Sequence, residues 1–73
     1  MPRIDALLRD ARTRLNEVGC EAVDAELLLA HALGQRRAWL YAHARDDIDD
    51  ATAQAFAALV QRRAAGEPVA YLL

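Results

Sequence analysis

The sequence predicts an all-α domain, a small bundle of four to five helices. Three observations lead there. Alanine dominates, and Ala, Leu, Arg and Glu are all strong helix formers, whereas the 73 residues include only three Gly and two Pro. Apolar residues recur at intervals of three and four along much of the chain, the spacing of one helix face. Glycine then follows the periodic stretches, at Gly19, Gly34 and Gly66, where a left-handed residue closes a helix.

The first helix is expected over Arg3 to Val18. Ile4, Leu7, Leu8, Ala11, Leu15 and Val18 form one apolar stripe, and Arg3, Arg9, Asp10, Arg12 and Glu17 fall off it, as an amphipathic helix requires. The second is expected over roughly Glu21 to Leu33, with Ala25, Leu28, Leu29 and Ala32 inward and Leu27 and Leu33 beside them. Three consecutive leucines make a stripe wider than one neighbour covers, so this helix is central. Glu21, Asp24 and Glu26 lie in its first turns, where the helix dipole favours negative charge.

A short third helix is expected over Gln35 to Ala44. Its Trp39, Leu40 and Tyr41 are consecutive, and three bulky neighbours cannot all face one core. The polar stretch Arg45 to Asp50 follows, interrupted by Ile48. Asp49 is the natural N-cap of a fourth helix, its carboxylate accepting from free first-turn amides, and Ile48 can fold back as a staple. That helix runs to about Ala65, with Ala53, Phe56, Ala57, Val60 and Ala64 inward and Leu59 beside them. Gly66 and Pro68 end it, because proline cannot continue a helix. The tail Val69 to Leu73 is almost wholly apolar and stops abruptly. Natural termini are more often polar and frayed, so a cut within a longer protein is expected.

Size and composition exclude several function classes. Fifty-five per cent hydrophobic residues is too apolar for intrinsic disorder. No apolar run reaches the ~18 residues of a membrane span, and no secretory signal is present, so cytoplasm is the expected compartment. Nine basic residues, all Arg, against eleven acidic ones give a net charge of −2, the wrong balance for a dedicated nucleic-acid binder. A chain this short buries only roughly 60% of its unfolded surface. It has little room for a ~300 Å³ ligand pocket as well as a core, which argues against an independent enzyme.

The residues that could carry chemistry are few. His31 and His43 have no obvious acid or nucleophile partner in the sequence, and Cys20 stands alone. Asp46, Asp47, Asp49 and Asp50 lack the register and closing glutamate of a calcium loop, so capping and solvation account for them better. Arg36-Arg37 and Arg62-Arg63 suit a partner-facing patch, since the guanidinium fork is favoured at interfaces; the competing reading is helix-end charge paired with Glu and Asp. Trp39 and Tyr41 are open between core filling and interface anchoring. On these grounds the chain is a helical binding or docking module. Its candidate partner-binding residues are Arg36, Arg37, Trp39, Tyr41, Arg62 and Arg63, with no catalytic, cofactor-binding or metal-binding residue.

Three stretches together carry a family resemblance. Asp24-Ala25-Glu26-Leu27-Leu28-Leu29-Ala30-His31-Ala32-Leu33-Gly34 matches a D-A-E-L-L-L-x-H-x-L-G helix, and Trp39-Leu40-Tyr41-Ala42-His43 resembles the helix after it. Arg62-Arg63-Ala64-Ala65-Gly66-Glu67-Pro68-Val69-Ala70-Tyr71-Leu72-Leu73 matches R-R-x-x-G-E-P-[IV]-A-Y-[IL]-[LT]. In this order and spacing they resemble the N-terminal domain of the HemK/PrmC family, the peptide chain release factor glutamine methyltransferases. Cys20 departs from the pattern, which often has Ser then Pro opening the second helix, and this leaves that helix's start open by a few residues.

The resemblance implies a two-part enzyme. A helical N-terminal bundle would help dock a class-1 release factor. A Rossmann-like domain with an N-P-P-Y motif would bind S-adenosylmethionine and methylate the glutamine of the factor's G-G-Q motif. Neither N-P-P-Y nor a glycine-rich cofactor loop occurs in this chain, so the chemistry and its cofactor are expected in a catalytic domain beyond it, itself a partner. The alternatives are the same domain of a related ribosomal protein glutamine methyltransferase, a free-standing helical adaptor, or a DNA-binding helix-turn-helix, against which the acidic balance counts. Within the last motif, Gly66 and Pro68 would end one helix, and Val69, Tyr71 and Leu72 would pack back as a short fifth helix or extended tail.

Overall fold

A computed structural model describes residues 2–73. Among these described residues five helices follow one another: α1 (Ile4–Glu17), α2 (Ala22–Leu33), α3 (Arg37–Ala42), α4 (Asp50–Ala64) and α5 (Val69–Leu72). The α1, α2 and α4 helices pack against one another in all three pairings, α3 leans on α2, and α5 touches α2 and α4. The central position expected of the leucine-rich helix is the one α2 occupies.

Burial explains that placement. Leu28, Leu29 and Ala25 are fully enclosed, joined by Ile4 and Leu15 from α1, Leu40 from α3, Phe56 and Val60 from α4, and Leu72 from α5. Each large side chain so enclosed contributes about 1.5–3 kcal/mol of transfer free energy. Leu72 is what ties the last helix to the rest. The radius of gyration, 11.0 Å, equals the ~11 Å expected for one compact domain of this length, so no element stands off from the bundle.

The glycines end helices as the sequence predicts. At the end of α2, the Gly34 amide donates to the His31 carbonyl at 3.1 Å and the Gln35 amide to that of Ala30 at 2.9 Å. This is the paired Schellman closure that satisfies otherwise orphaned carbonyls. It requires the left-handed φ of +67° at Gly34, which a side chain adopts only under strain. The same hydrogen-bond pairs recur after α1, from Gly19 and Cys20, and after α4, from Gly66 and Glu67.

Helix starts differ from one another. Asp49 caps α4 as predicted, its carboxylate accepting from the Thr52 amide at 3.1 Å and the Thr52 hydroxyl at 2.7 Å. These bonds hold its carboxyl below the ordinary range. Helix α1 has no side-chain cap. Its first amides are instead satisfied by distant backbone: Ile4 donates to the Asp46 carbonyl at 3.0 Å and Asp5 to that of Ala44 at 2.8 Å. The Ile48 amide returns a bond to Pro2 at 2.8 Å. The segment read as a polar loop is thus a strut paired to the chain's beginning, and Ile48 is buried behind it.

Four expectations are corrected. Tyr71, expected to pack back with Val69 and Leu72, is 80% exposed, because the short α5 turns Leu72 into the core and Tyr71 away from it. Val18 lies at the C-cap of α1, where the stripe runs out, and is exposed. The third helix is shorter than Gln35 to Ala44, because the Ala44 carbonyl is turned toward Asp5 and His43 already begins a turn to Asp46. In α4, Phe56 and Val60 are buried, but Ala57 is exposed and Ala53 only half-buried.

Candidate functional site

The chemistry-bearing side chains gather around the two carboxylates flanking Ala25. Both sit in the first turns of α2, where the sequence placed them against the helix dipole, and both are also buried. A carboxylate among leucines must be paired and hydrogen-bonded, since desolvating an isolated charge is prohibitive.

Glu26 is the hub of the first cluster, with 10% of its side chain exposed. Arg12 of α1 donates from Nη2 to Oε2 at 2.9 Å, and Arg37 of α3 donates to Oε1 from Nε at 3.3 Å and Nη2 at 3.1 Å. The Tyr41 hydroxyl donates to the same Oε1. One carboxylate therefore fastens α1, α2 and α3. Burial pushes its pKa up, but the bonds from Tyr41, Arg12 and Arg37 outweigh burial and hold it below the ordinary glutamate value of 4.5. Arg37 is correspondingly raised, by Glu26 first.

Asp24 is the hub of the second, facing α4. It accepts from Arg63 Nε at 3.1 Å, and Arg63 Nη1 also donates to the Glu67 carbonyl at 3.2 Å. Arg62 closes the same turn from the other side, donating to both Glu67 oxygens at 2.8 and 3.0 Å. That fork holds the Glu67 carboxyl low and the Arg62 guanidinium high. The turn Gly66-Glu67-Pro68 is thus locked by two arginines.

Of the six candidate partner-binding residues, four serve these clusters. Arg37, Tyr41, Arg62 and Arg63 each bond a carboxylate of the same domain, although Arg37, Tyr41 and Arg62 remain exposed. Trp39 is half-buried and stacks on His43, with ring centroids 3.9 Å apart and planes at 16°. His43 in turn has the partner that the sequence did not reveal, its Nδ1 lying 2.7 Å from Asp46 Oδ2. Arg36 is exposed and makes no ion pair among the described residues.

Sequence reasoning missed Arg12, Asp24, Glu26 and Glu67 as a set. The available signal was two acids set in an otherwise apolar helix, which calls for partners elsewhere. It also missed an open trough of about 380 Å³ between α1 and α4, walled by Leu7, Ala11, Phe56, Ala57 and Val60. The alanines expected to fill the core leave this space instead. Among the described residues no group of three or more His, Cys, Asp or Glu is arranged to hold a metal, and no helix is long and apolar enough to cross a membrane.

The class defined by this geometry is a small all-α domain whose recognisable motifs act as clamps between helices. Comparison with known proteins makes it specific. Residues 6–73 match the family described as the PrmC N-terminal domain. The chain is 48% identical over 73 residues to the release factor glutamine methyltransferase of Xylella fastidiosa, covering 100% of this chain and 25% of that protein. Identity is 45% over 67 residues to the enzyme of that name from Bordetella pertussis (92% and 24% covered) and 37% over 65 residues to that from Salmonella typhimurium (89% and 24%). No match was found among solved structures. The chain belongs to the PrmC N-terminal domain family, and it spans about a quarter of the length of the curated relatives it matches.

Proposed function

We propose that this chain is the substrate-docking part of a release factor glutamine methyltransferase. It holds a class-1 release factor so that a catalytic domain, lying beyond these residues in the parent protein, methylates the glutamine of the factor's G-G-Q motif. The observation that carries this reading is the likeness along the whole chain to proteins named release factor glutamine methyltransferase. Those names also favour a release factor over a ribosomal protein as the substrate. S-adenosylmethionine belongs to the catalytic part, and no residue of this chain is asked to bind it. The domain's contribution is positional: keeping a bulky substrate in productive geometry replaces a rare bimolecular alignment by a held one.

The clamps sharpen which residues are free to dock. Reversing Arg37 would disrupt the Glu26 cluster, whereas Arg36 caps α3 with its side chain in solvent. In the parent enzyme, Arg36→Glu is expected to raise the KM for release factor by about 3–10-fold while kcat changes little, the pattern of lost uniform binding. An unchanged KM in a variant that melts like the parent removes Arg36 from the docking surface. Saturable calorimetric binding of S-adenosylmethionine to these 73 residues would overturn the division of labour.

A further inference from the structure

The Glu26 cluster holds more positive charge than its carboxylate needs. Two guanidinium groups, from Arg12 and Arg37, meet one carboxylate, on a chain whose net charge is −2. A single cationic partner with good hydrogen bonds already compensates a buried carboxylate, and the Tyr41 hydroxyl bonds the same group. A surplus positive charge is therefore held at this point. Arg36, next along the chain and exposed, adds another, with no ion pair among the described residues.

Hydrogen-bond donors are left over as well. Arg12 engages Glu26 through Nη2 alone, and Arg37 through Nε and Nη2. Among the described residues, Arg12 Nε and Nη1 and Arg37 Nη1 donate to no protein acceptor, and the two side chains are 37% and 45% exposed. Tyr41 is 61% exposed at the same point; with its hydroxyl fastened inward, what faces out is the ring. Arg and Tyr are enriched where a few residues carry the energy of an interface. Here Glu26 fixes all three side chains beforehand, which removes part of the ordering cost of binding.

Resting on the docking function of the preceding subsection, we propose that Arg12, Arg37 and Tyr41, spanning α1 and α3, form the face that takes an acidic segment of the release factor. A carboxylate of that segment accepts from the N–H groups that Glu26 leaves over, as charge-assisted hydrogen bonds, and an apolar neighbour lies on the Tyr41 ring. Arg36 extends the positive edge and speeds encounter. Glu26 then has two opposed effects: it positions the guanidinium groups and it competes for them. Removing its charge loosens the domain yet strengthens the face for an anion.

The test is steady-state methylation of release factor by the parent enzyme, well below its melting temperature. Glu26→Gln should lower the KM for release factor about twofold to fivefold, the worth of one exposed ion pair, and the gain should shrink as sodium chloride is raised from about 0.02 to about 0.3 M. A KM that rises or stays overturns the proposal, because a purely structural clamp can only lose by the change. A second pair of variants decides without touching the carboxylate. Tyr41→Ala should raise the KM at least about fivefold, and Tyr41→Phe, which keeps the ring but not the hydroxyl bond, should not; equal effects of the two, or none, overturn the proposal. Hydroxyl-radical footprinting of the parent enzyme with and without release factor separates this face from the docking function. Shielding elsewhere in residues 2–73 with Tyr41 unshielded removes the face and keeps the function, whereas no shielding anywhere in these residues removes both.

Discussion

Replacing Glu26 by Gln tests whether the three-helix clamp stabilises the domain. The substitution keeps the shape and one acceptor oxygen, but removes the charge that Arg12 and Arg37 share and turns an amide donor toward one of them. Stripping one partner from a buried ion pair typically costs about 3–5 kcal/mol. Here the arginine side chains are 37% and 45% exposed, so they can turn to water, and that screening reduces the expected loss to about 2 kcal/mol. A domain of this size has only ~3–5 kcal/mol in total. The loss is therefore visible as a fall in melting temperature of about 8–16 °C. Urea unfolding followed by far-ultraviolet circular dichroism, at neutral pH and in acid, reads both parts of the argument. Because the folded-state pKa of Glu26 lies below its ordinary 4.5, its contribution is present above that pH. It is lost as the pH falls through the folded value, so the Gln variant and the parent chain should converge in acid. A variant within about 0.5 kcal/mol of the parent at neutral pH, the usual range of an inert surface change, would refute the clamp.

Three further outcomes follow from individual positions. Leu29 is fully enclosed, so Leu29→Ala should cost about 2–5 kcal/mol, enough to abolish a cooperative melting transition, while Leu29→Met should keep one. Gly34→Ala should cost about 1 kcal/mol in urea unfolding purely through its positive φ, since a Cβ there meets nothing within 4 Å; Gly34→Asn should recover part of the loss. Asp49→Ala should lower the melting temperature by a few degrees through fraying of the first turn of α4, and Asp49→Asn should restore most of it.

Much of this architecture was legible because its signals are local. Gly34 follows its helix directly, Asp49 stands three residues before the amide it caps, and Ile4, Leu8, Ala11 and Leu15 repeat within one segment. What escaped reading depends on contacts between distant segments. Glu26 meets residues 14, 11 and 15 positions away, and Asp24 meets one 39 positions away, so nothing in their neighbourhood marks them as paired. The Arg-Arg doublets show the same limit. In each, one arginine faces an α2 carboxylate, a matter of helix rotation that adjacent identical residues do not encode. Alanine was the other source of error. Ala57 and Ala53 fit an inner stripe by spacing, but a methyl group is too small to require burial, and the tertiary packing left them beside an open trough.

The pairing of Pro2 to Asp5 with Ala44 to Ile48 has a practical consequence for rebuilding this domain. An aspartate-rich, exposed stretch between two helices resembles a permissive site for inserting a tag or relocating the termini. Here its carbonyls complete the opening turn of the first helix, and lengthening it would unseat a helix some forty positions upstream. Grafts should avoid this crossing, just as trimming residues 2 to 4 should be felt at the entry to the fourth helix as much as at the amino terminus.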